Sequence, residues 1–522
     1  MGPMPATSSR PRAARRGPVL LCVLLALALV ASAALAVPAL AGELRPVAQW
    51  RAAHEELAEG SGAADHDAAA GPGAGGTPES GDSADEGART GAEDGSDRGA
   101  DPVPGGAGSP AASSSGAVSA QGLQRALDAE LEGAPGVVTA AVGELGADGP
   151  VAGREQARPV VPASNQKLLS ALAVAEHVGA QDRLVTTVVS GGPGALTLVA
   201  GGDTMLAPGQ GDPAAVNGHA GLGTLARRTA RALEQRSPDG VPGAVEVTVD
   251  TSLFAGPDLN PAWEKEDVAS GEISRVAPIA LYSHRVPAAD GTDPGDRGRR
   301  PADPAGEALA EFSRQLQKEL GDAAVTARGT ARAPEGATEL ARVESAPVHE
   351  QSAYMLAHSD NSLAETLTRV AAARSGREAS VAGVQDLLPA ALREHGIDTS
   401  GLRVLDASGM APGNRVTAAT LARAVDTLLT EPRFGPYGRG LPVAGGTGTL
   451  AERFDDPAEQ PARGVARAKT GTLLDVVALS GYVQREDGAV LVYAVVLNGV
   501  TGHTARAKDR VDRTVAELTR SR

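Results

Sequence analysis

Read for the spacing of its apolar positions, the chain falls into stretches of very different kind. An uncharged run of small and branched apolar residues fills 18–37, and between about 59 and 118 almost nothing apolar remains. Patterning resumes near Gln121. Leu123, Leu127 and Leu131 recur at four-residue spacing and predict a helix, and the Val/Ala-rich run 136–142 predicts a strand. At 162–166 a Pro and small polar residues lead into Leu168, Leu169, Leu172 and Ala175, which reads as the start of another helix. Short apolar runs at 184–189, 196–200 and 245–250 predict strands. Helical spacing appears near 225–234 and 307–320, with a Pro/Gly/charge-rich loop near 288–306. After 346 come helical patterns over 349–374, 381–395 and 417–430, strand runs at 465–469, 476–484 and 489–498, and a closing helix over 503–520. Hairpin-connected late strands bracketed by helices predict an α/β body with an antiparallel sheet. No fixed-period repeat occurs in 185–345.

Composition adds compartment and partners. Arg10, Arg12, Arg15 and Arg16 precede the apolar run and Ala39-Leu40-Ala41 follows it, so 1–41 is an export segment. Its run of 20 residues is long for a signal peptide and just long enough to span a bilayer, which leaves a cleaved signal and a retained anchor both open. The basic flank places the remainder outside the cytoplasm, with the membrane a partner only through this segment if it is not cleaved. Residues 42–118 form an acidic Gly/Ala/Ser/Pro-rich linker that cannot repay the cost of ordering and is expected to be disordered. A net charge of -16 excludes nucleic acid as partner. The single Cys, Cys22, lies within the leader, so the rest of the chain has no disulfide, thiolate or Cys-ligated metal chemistry. The sequence does not fix an oligomeric state.

Candidate chemistry lies in three short elements. Ser164 and Lys167 are three apart at a helix start and share one face. A Ser hydroxyl is a poor nucleophile unless a base takes its proton, and a desolvated Lys beside it can do so. His358-Ser359-Asp360-Asn361 sits within a helical stretch; Ser359 can relay a proton and the Asn361 amide can hold a peptide backbone. Lys469-Thr470-Gly471-Thr472 ends a strand run. There Lys469 supplies fixed positive charge, the Thr470 and Thr472 hydroxyls can grip a carboxylate, and Gly471 lets the strand approach a substrate closely. Backbone N–H groups of Ser164 and Thr472 can form an oxyanion hole. Taken singly, each element is commonly a helix cap, a turn or a strand end.

In this order and behind an export leader, the three elements match the Ser-x-x-Lys, Ser-Asp-Asn and Lys-Thr-Gly set of β-lactamases and penicillin-binding proteins. With Asp406-Ala-Ser-Gly-Met410, Leu441-Pro-Val-Ala-Gly-Gly-Thr-Gly-Thr-Leu450 and looser likenesses around Leu198–Asp203 and Asp250/Trp263, the chain resembles the D-alanyl-D-alanine carboxypeptidases and endopeptidases of the low-molecular-mass, class C penicillin-binding proteins. The likeness runs from about 119 to 520. Ala407 stands where that family usually has Gly, so a slightly different turn is expected there. The resemblance implies an α/β fold with a β-lactamase/transpeptidase-like body, an antiparallel sheet with helices on both sides and a helical subdomain. It further implies a penicillin-binding serine peptidase domain over 119–184 and 346–522, with a large, mainly β insertion at 185–345 that does not carry the core chemistry. It implies Ser164, Lys167 and Ser359 as catalytic and Asn361, Lys469, Thr470, Gly471 and Thr472 as substrate-binding. The implied partners are peptidoglycan peptide stems and β-lactams, and no cofactor or metal is required. A non-catalytic peptidoglycan-binding scaffold would lack Ser164, Lys167 or Lys469, all present here. A β-lactam hydrolase would need a deacylation base that the sequence does not offer.

Overall fold

The computed structural model describes residues 119–236, 242–296 and 298–521; apart from Gly2, the expected export segment 1–41 and the linker 42–118 lie outside the described residues. Helix α1 (Ala120–Leu131) is capped by Ser119, whose hydroxyl accepts from Gly122 N, and it buries Leu123, Leu127 and Leu131 as their spacing predicts. Strand β1 (Val137–Glu144) pairs with β2 (Ala152–Arg154) on one side and with β10 (Val490–Asn498) on the other. Strands β9 (Val476–Gln484) and β8 (Ala466–Leu473) complete an antiparallel sheet in the order β2-β1-β10-β9-β8.

Alternation along these strands separates two cores. Val138, Ala140 and Val142 of β1 pack with Leu491, Tyr493 and Val495 of β10 beneath α1 and the last helix, α10 (Thr504–Leu518). Ala141, Val492, Ala494 and Val496 point the other way, into the helical side. At the centre of that side is α2 (Gln166–His177), buried from Gln166 to Ala175. A helix without a polar face belongs in an interior. Full burial of Leu168, Leu169 and Leu172 stabilises it by about 1.5–3 kcal/mol each. Around it pack α6 (Val348–His358), α7 (Asn361–Arg374), α8 (Val381–Glu394) and α9 (Ala418–Thr430).

The chain between α2 and α6 builds a second sheet. Strand β3 (Val185–Gly192) pairs antiparallel with β4 (Ala195–Val199) and with β7 (Thr338–Glu344), while β5 (Ala244–Asp250) and β6 (Ala324–Thr330) continue from β4 in parallel. Parallel neighbours need crossovers, and two helices supply them: α3 (Leu222–Arg236) from β4 to β5 and α5 (Pro304–Leu320) from β5 to β6. Leu225, Leu233, Leu309 and Phe312 seat those helices on Val245, Val247 and Leu198 of the sheet. The long crossover from β5 to α5 carries the short helix α4 (Lys265–Ser270) and, as shown below, reaches the catalytic body.

The helical pattern over 349–374 is not one helix. Helix α6 ends at Ser359, which is left-handed at φ +56°, and Asp360 caps α7 by accepting from Leu363 N at 2.9 Å. An Asp side chain that captures backbone N–H groups competes with helix continuation, and here it wins.

Candidate active site

Ser164 lies in a one-turn 3-10 segment, Ala163–Asn165, that runs straight into α2, which places Lys167 one turn on. Lys167 Nζ donates to Ser164 Oγ at 2.9 Å, to Asn361 Oδ1 at 2.7 Å and to the Ser408 carbonyl at 2.7 Å. The side chain is fully buried, and burial pushes Lys167 down to about 8 against the pull of Asp406, Asp360 and Glu365. An amine so placed is neutral in about a tenth of molecules at pH 7, far more than an ordinary lysine, and is within reach of the Ser164 proton.

The nucleophile turn is strained. Ala163 is left-handed at φ +49°, a conformation that costs about 1–3 kcal/mol in a residue with a Cβ. Two glycines hold the turn by close approach. A Cβ on Gly409 (φ +85°) would stand 1.9 Å from the Ala163 carbonyl oxygen; one on Gly471 would meet Pro162 O at 2.9 Å and Asn165 Nδ2 at 3.1 Å. Gly471 therefore also serves the packing of β8 on the nucleophile turn, a contact the sequence does not suggest.

Lys469, in the middle of β8, is buried as completely as Lys167. Its Nζ donates to Ser359 Oγ at 2.9 Å and to the Thr470 carbonyl at 2.7 Å. Burial, reinforced by Lys167, pushes it well below the ordinary lysine range. A carboxylate arriving beside it would favour its charged form. Strand β8 is the edge of its sheet, and Ala468 N turns outward to Pro442 O at 3.0 Å. With the two-residue period of a strand, the N–H groups of Thr470 and Thr472 face the same open edge. The Thr470 hydroxyl donates to Thr449 Oγ1 at 2.8 Å, and Thr472 is exposed.

A third loop, Asp406–Ala411, closes the site from behind. The Asp406 carboxylate accepts from Gly409 N, Ala411 N, Asn414 Nδ2 and Trp263 Nε1 at 2.7–2.9 Å. Ala407 N and Ser408 N donate to Glu365 Oε1 at 3.0 Å, and burial with Asp406 pushes Glu365 up to about 7. Through these bonds the loop presents the Ser408 carbonyl to Lys167. Ala407 keeps a negative φ, so the residue that departs from the family pattern is accommodated without strain.

Ser164, Ser359, Asn361, Thr470 and Thr472 line one cleft of about 680 Å³ with Lys167 and Lys469 buried behind it. Gly471 lies between Thr470 and Thr472 on β8, packed on the nucleophile turn. A second chamber of about 710 Å³ adjoins the cleft and shares Glu272, His358, Ser359 and Asn361 with it. The insertion supplies much of its wall, and it reaches the site more closely than the sequence indicates. Arg285 and Arg300, within or beside a stretch that reads only as a charged loop, bond to Asp360 and Ser362. Glu365, Asp406 and Trp263 lie in family-like stretches, but nothing in their spacing reveals what they touch.

Comparison with known proteins agrees with this geometry. The chain matches the D-Ala-D-Ala carboxypeptidase 3 (S13) family over residues 121–296 and 286–520. It is 37% identical over 359 residues to a carboxypeptidase of Mycobacterium tuberculosis, covering 66% of this chain and 73% of that one. It is 36% identical over 355 residues to carboxypeptidase DacB of Mycolicibacterium smegmatis, covering 66% and 74%. Among solved structures, penicillin binding protein 4 from Haemophilus influenzae shares the fold with a TM-score of 0.58 at 20% identity, over 75% of this chain and 98% of that one. The chain belongs to the D-Ala-D-Ala carboxypeptidase 3 (S13) family.

Proposed function

We propose that this serine-type D-Ala-D-Ala carboxypeptidase of the S13 family opens the terminal bond of peptidoglycan stem peptides, or a cross-link of like configuration, through an acyl-enzyme on Ser164. The observation that carries this reading is the pair of facing contacts, Lys167 Nζ to Ser164 Oγ and Lys469 Nζ to Ser359 Oγ, each 2.9 Å, across one cleft. Neutral Lys167 takes the Ser164 proton as Oγ attacks the scissile carbonyl. The developing oxyanion lies between the N–H of Ser164, which heads a helical turn, and the N–H of Thr472 on the open edge of β8. The proton taken by Lys167 is passed on through Ser359, itself hydrogen-bonded to Lys469, to the departing amine of D-Ala. That leaves Lys167 neutral again to accept a proton from the incoming water and return it to Ser164 Oγ. Water then cleaves the ester. The substrate's terminal carboxylate is held by the Thr470 and Thr472 hydroxyls and by Lys469, whose charged form it favours. Asn361, whose Oδ1 accepts from Lys167 and whose Nδ2 donates to the Glu272 carbonyl, orients the base as well as bordering the acyl chain.

In the same reading penicillins acylate Ser164 and leave slowly, and the protein works outside the cytoplasm, in the wall or on the outer membrane face if its leader is retained. The test is labelling by a fluorescent penicillin together with D-Ala release from a peptide ending in D-Ala-D-Ala. Both are expected of the natural protein, and both should vanish in Ser164→Ala with the melting temperature preserved. Covalent labelling that persists in Ser164→Ala would overturn the assignment of the nucleophile.

A further inference from the structure

The second motif is tied to the insertion almost residue by residue. His358 Nδ1 and Asp296 Oδ2 are 2.9 Å apart. Arg285 Nη1 donates to Asp360 Oδ2 at 2.7 Å, with both side chains buried. Asn361 Nδ2 donates to the Glu272 carbonyl at 3.0 Å. Arg300 Nη1 donates to Ser362 Oγ at 2.9 Å, while its Nε donates to the Gly271 carbonyl at 3.0 Å. Of the five residues from 358 to 362, four bond to described residues of segment 271–300, and the fifth, Ser359, is the one that turns to Lys469. Ser359 also holds the left-handed φ of +56°, a conformation that persists only where its surroundings over-determine it. The clamping segment is itself rigidly shaped. Tyr282, Ser283 and His284 are consecutive residues with positive φ, and His284 Nε2 accepts from Ala277 N at 3.2 Å within the buried bend.

We propose that segment 271–300 of the insertion is a clamp that sets the second motif for catalysis, with Arg285 as its principal positioning residue. Arg285 fixes the Asp360 carboxylate; Asp360 starts α7; and the start of α7 sets the left-handed turn that aims Ser359 at Lys469 and Asn361 at Lys167. Arg300 holds the following residue, so the turn is gripped on both sides. The strain at Ser359 is thus supported by a part of the chain outside the serine peptidase body.

This rests on the proposed function, and the test keeps the two apart. Penicillin acylation of the natural protein is the shared control: if that protein neither labels nor releases D-Ala, the function reading fails and the clamp with it. Given a natural protein that labels, Arg285→Ala should lower the acylation rate constant per folded molecule by about 10²-fold, the scale of a 1 Å misplacement. KM for a peptide with a free terminal carboxylate should stay near its natural value, because β8 holds that group. Arg285→Lys, which keeps the charge, should recover part of the rate. Because Arg285→Ala leaves Asp360 buried without its cation and can fail to fold, Ser362→Ala serves as the gentler variant. It removes one hydrogen bond from Arg300 and should slow acylation several-fold with the melting temperature nearly unchanged. Full acylation rates in both Arg285→Ala and Ser362→Ala, or in Ser362→Ala alone where Arg285→Ala does not fold, would overturn the clamp.

Discussion

Two buried lysines each lie 2.9 Å from a serine hydroxyl, and their surroundings differ. Lys167 is held near Asp406, Asp360 and Glu365, which keep it at about 8 despite full burial; Lys469 has burial and the charge of Lys167 against its own. Lys167→Arg installs a group that stays protonated at any working pH, so acylation should fall by about 10²–10⁴, the value of general-base help. Lys469→Arg should keep measurable acylation by penicillin while losing preference for a free terminal carboxylate over an amidated one. Stopped-flow acylation of the two variants decides between these roles; a fully active Lys167→Arg beside a dead Lys469→Arg would reverse them. The pH dependence follows with a definite sign. The base must be neutral, so kcat/KM for acylation should climb as pH rises through about 8 and level off above it.

At the scale of elements, close packing around the nucleophile turn sets what can change. Gly409 combines φ +85° with a Cβ position 1.9 Å from Ala163 O, so Gly409→Ala must move either its own loop or the Ser164 turn. Its melting temperature and its labelling by penicillin should both drop sharply. Ala407→Gly, two residues away, restores the residue common in the family at a backbone that does not need it, and should cost only about 0.5–1 kcal/mol. A chemical melt of the pair measures the contrast. These elements also mark how far the sequence could be read. Apolar spacing locates α1, α2 and the strands β8–β10, because each buries the residues whose period predicts it. The Ser164, Ser359 and Lys469 motifs are legible because their chemistry is local. The break between α6 and α7 is not, since it depends on Asp360 bonding to Leu363 N and to Arg285, 75 residues away. Likewise the contact made at Gly471 depends on which neighbour lies over that face of β8, and no pattern within 466–473 carries that information.

Over the whole molecule, the question is which parts the catalytic body can lose. Residues 59–118 carry little to bury, so their deletion should leave both melting temperature and turnover of a soluble peptide unchanged; a large drop in melting temperature would show that they pack on the body. The insertion presents the opposite case, although its ends invite excision. Leu184 and Ser345 are paired by backbone hydrogen bonding, with Ser345 N donating to Leu184 O at 2.9 Å, so a short Gly-Ser link can join them without stretching either side. Excision of the segment between them removes Arg285 from the buried Asp360 and Trp263 from the Asp406 carboxylate. Stranding one buried charge costs about 3–5 kcal/mol, a large share of the 5–15 kcal/mol typical of a domain. An excised chain carrying Asp360→Asn avoids that charge while retaining a side-chain acceptor for Leu363 N, and it should fold more stably than the excised chain alone. It should still acylate far more slowly than the natural protein, because the bonds of residues 358, 360, 361 and 362 to the insertion are then lost. Circular dichroism melts and penicillin acylation on the two excised chains separate the effects. An excised chain that folds and acylates at the natural rate would make the insertion a passenger, and would leave the contacts of Arg285, Arg300 and Trp263 without a part in catalysis.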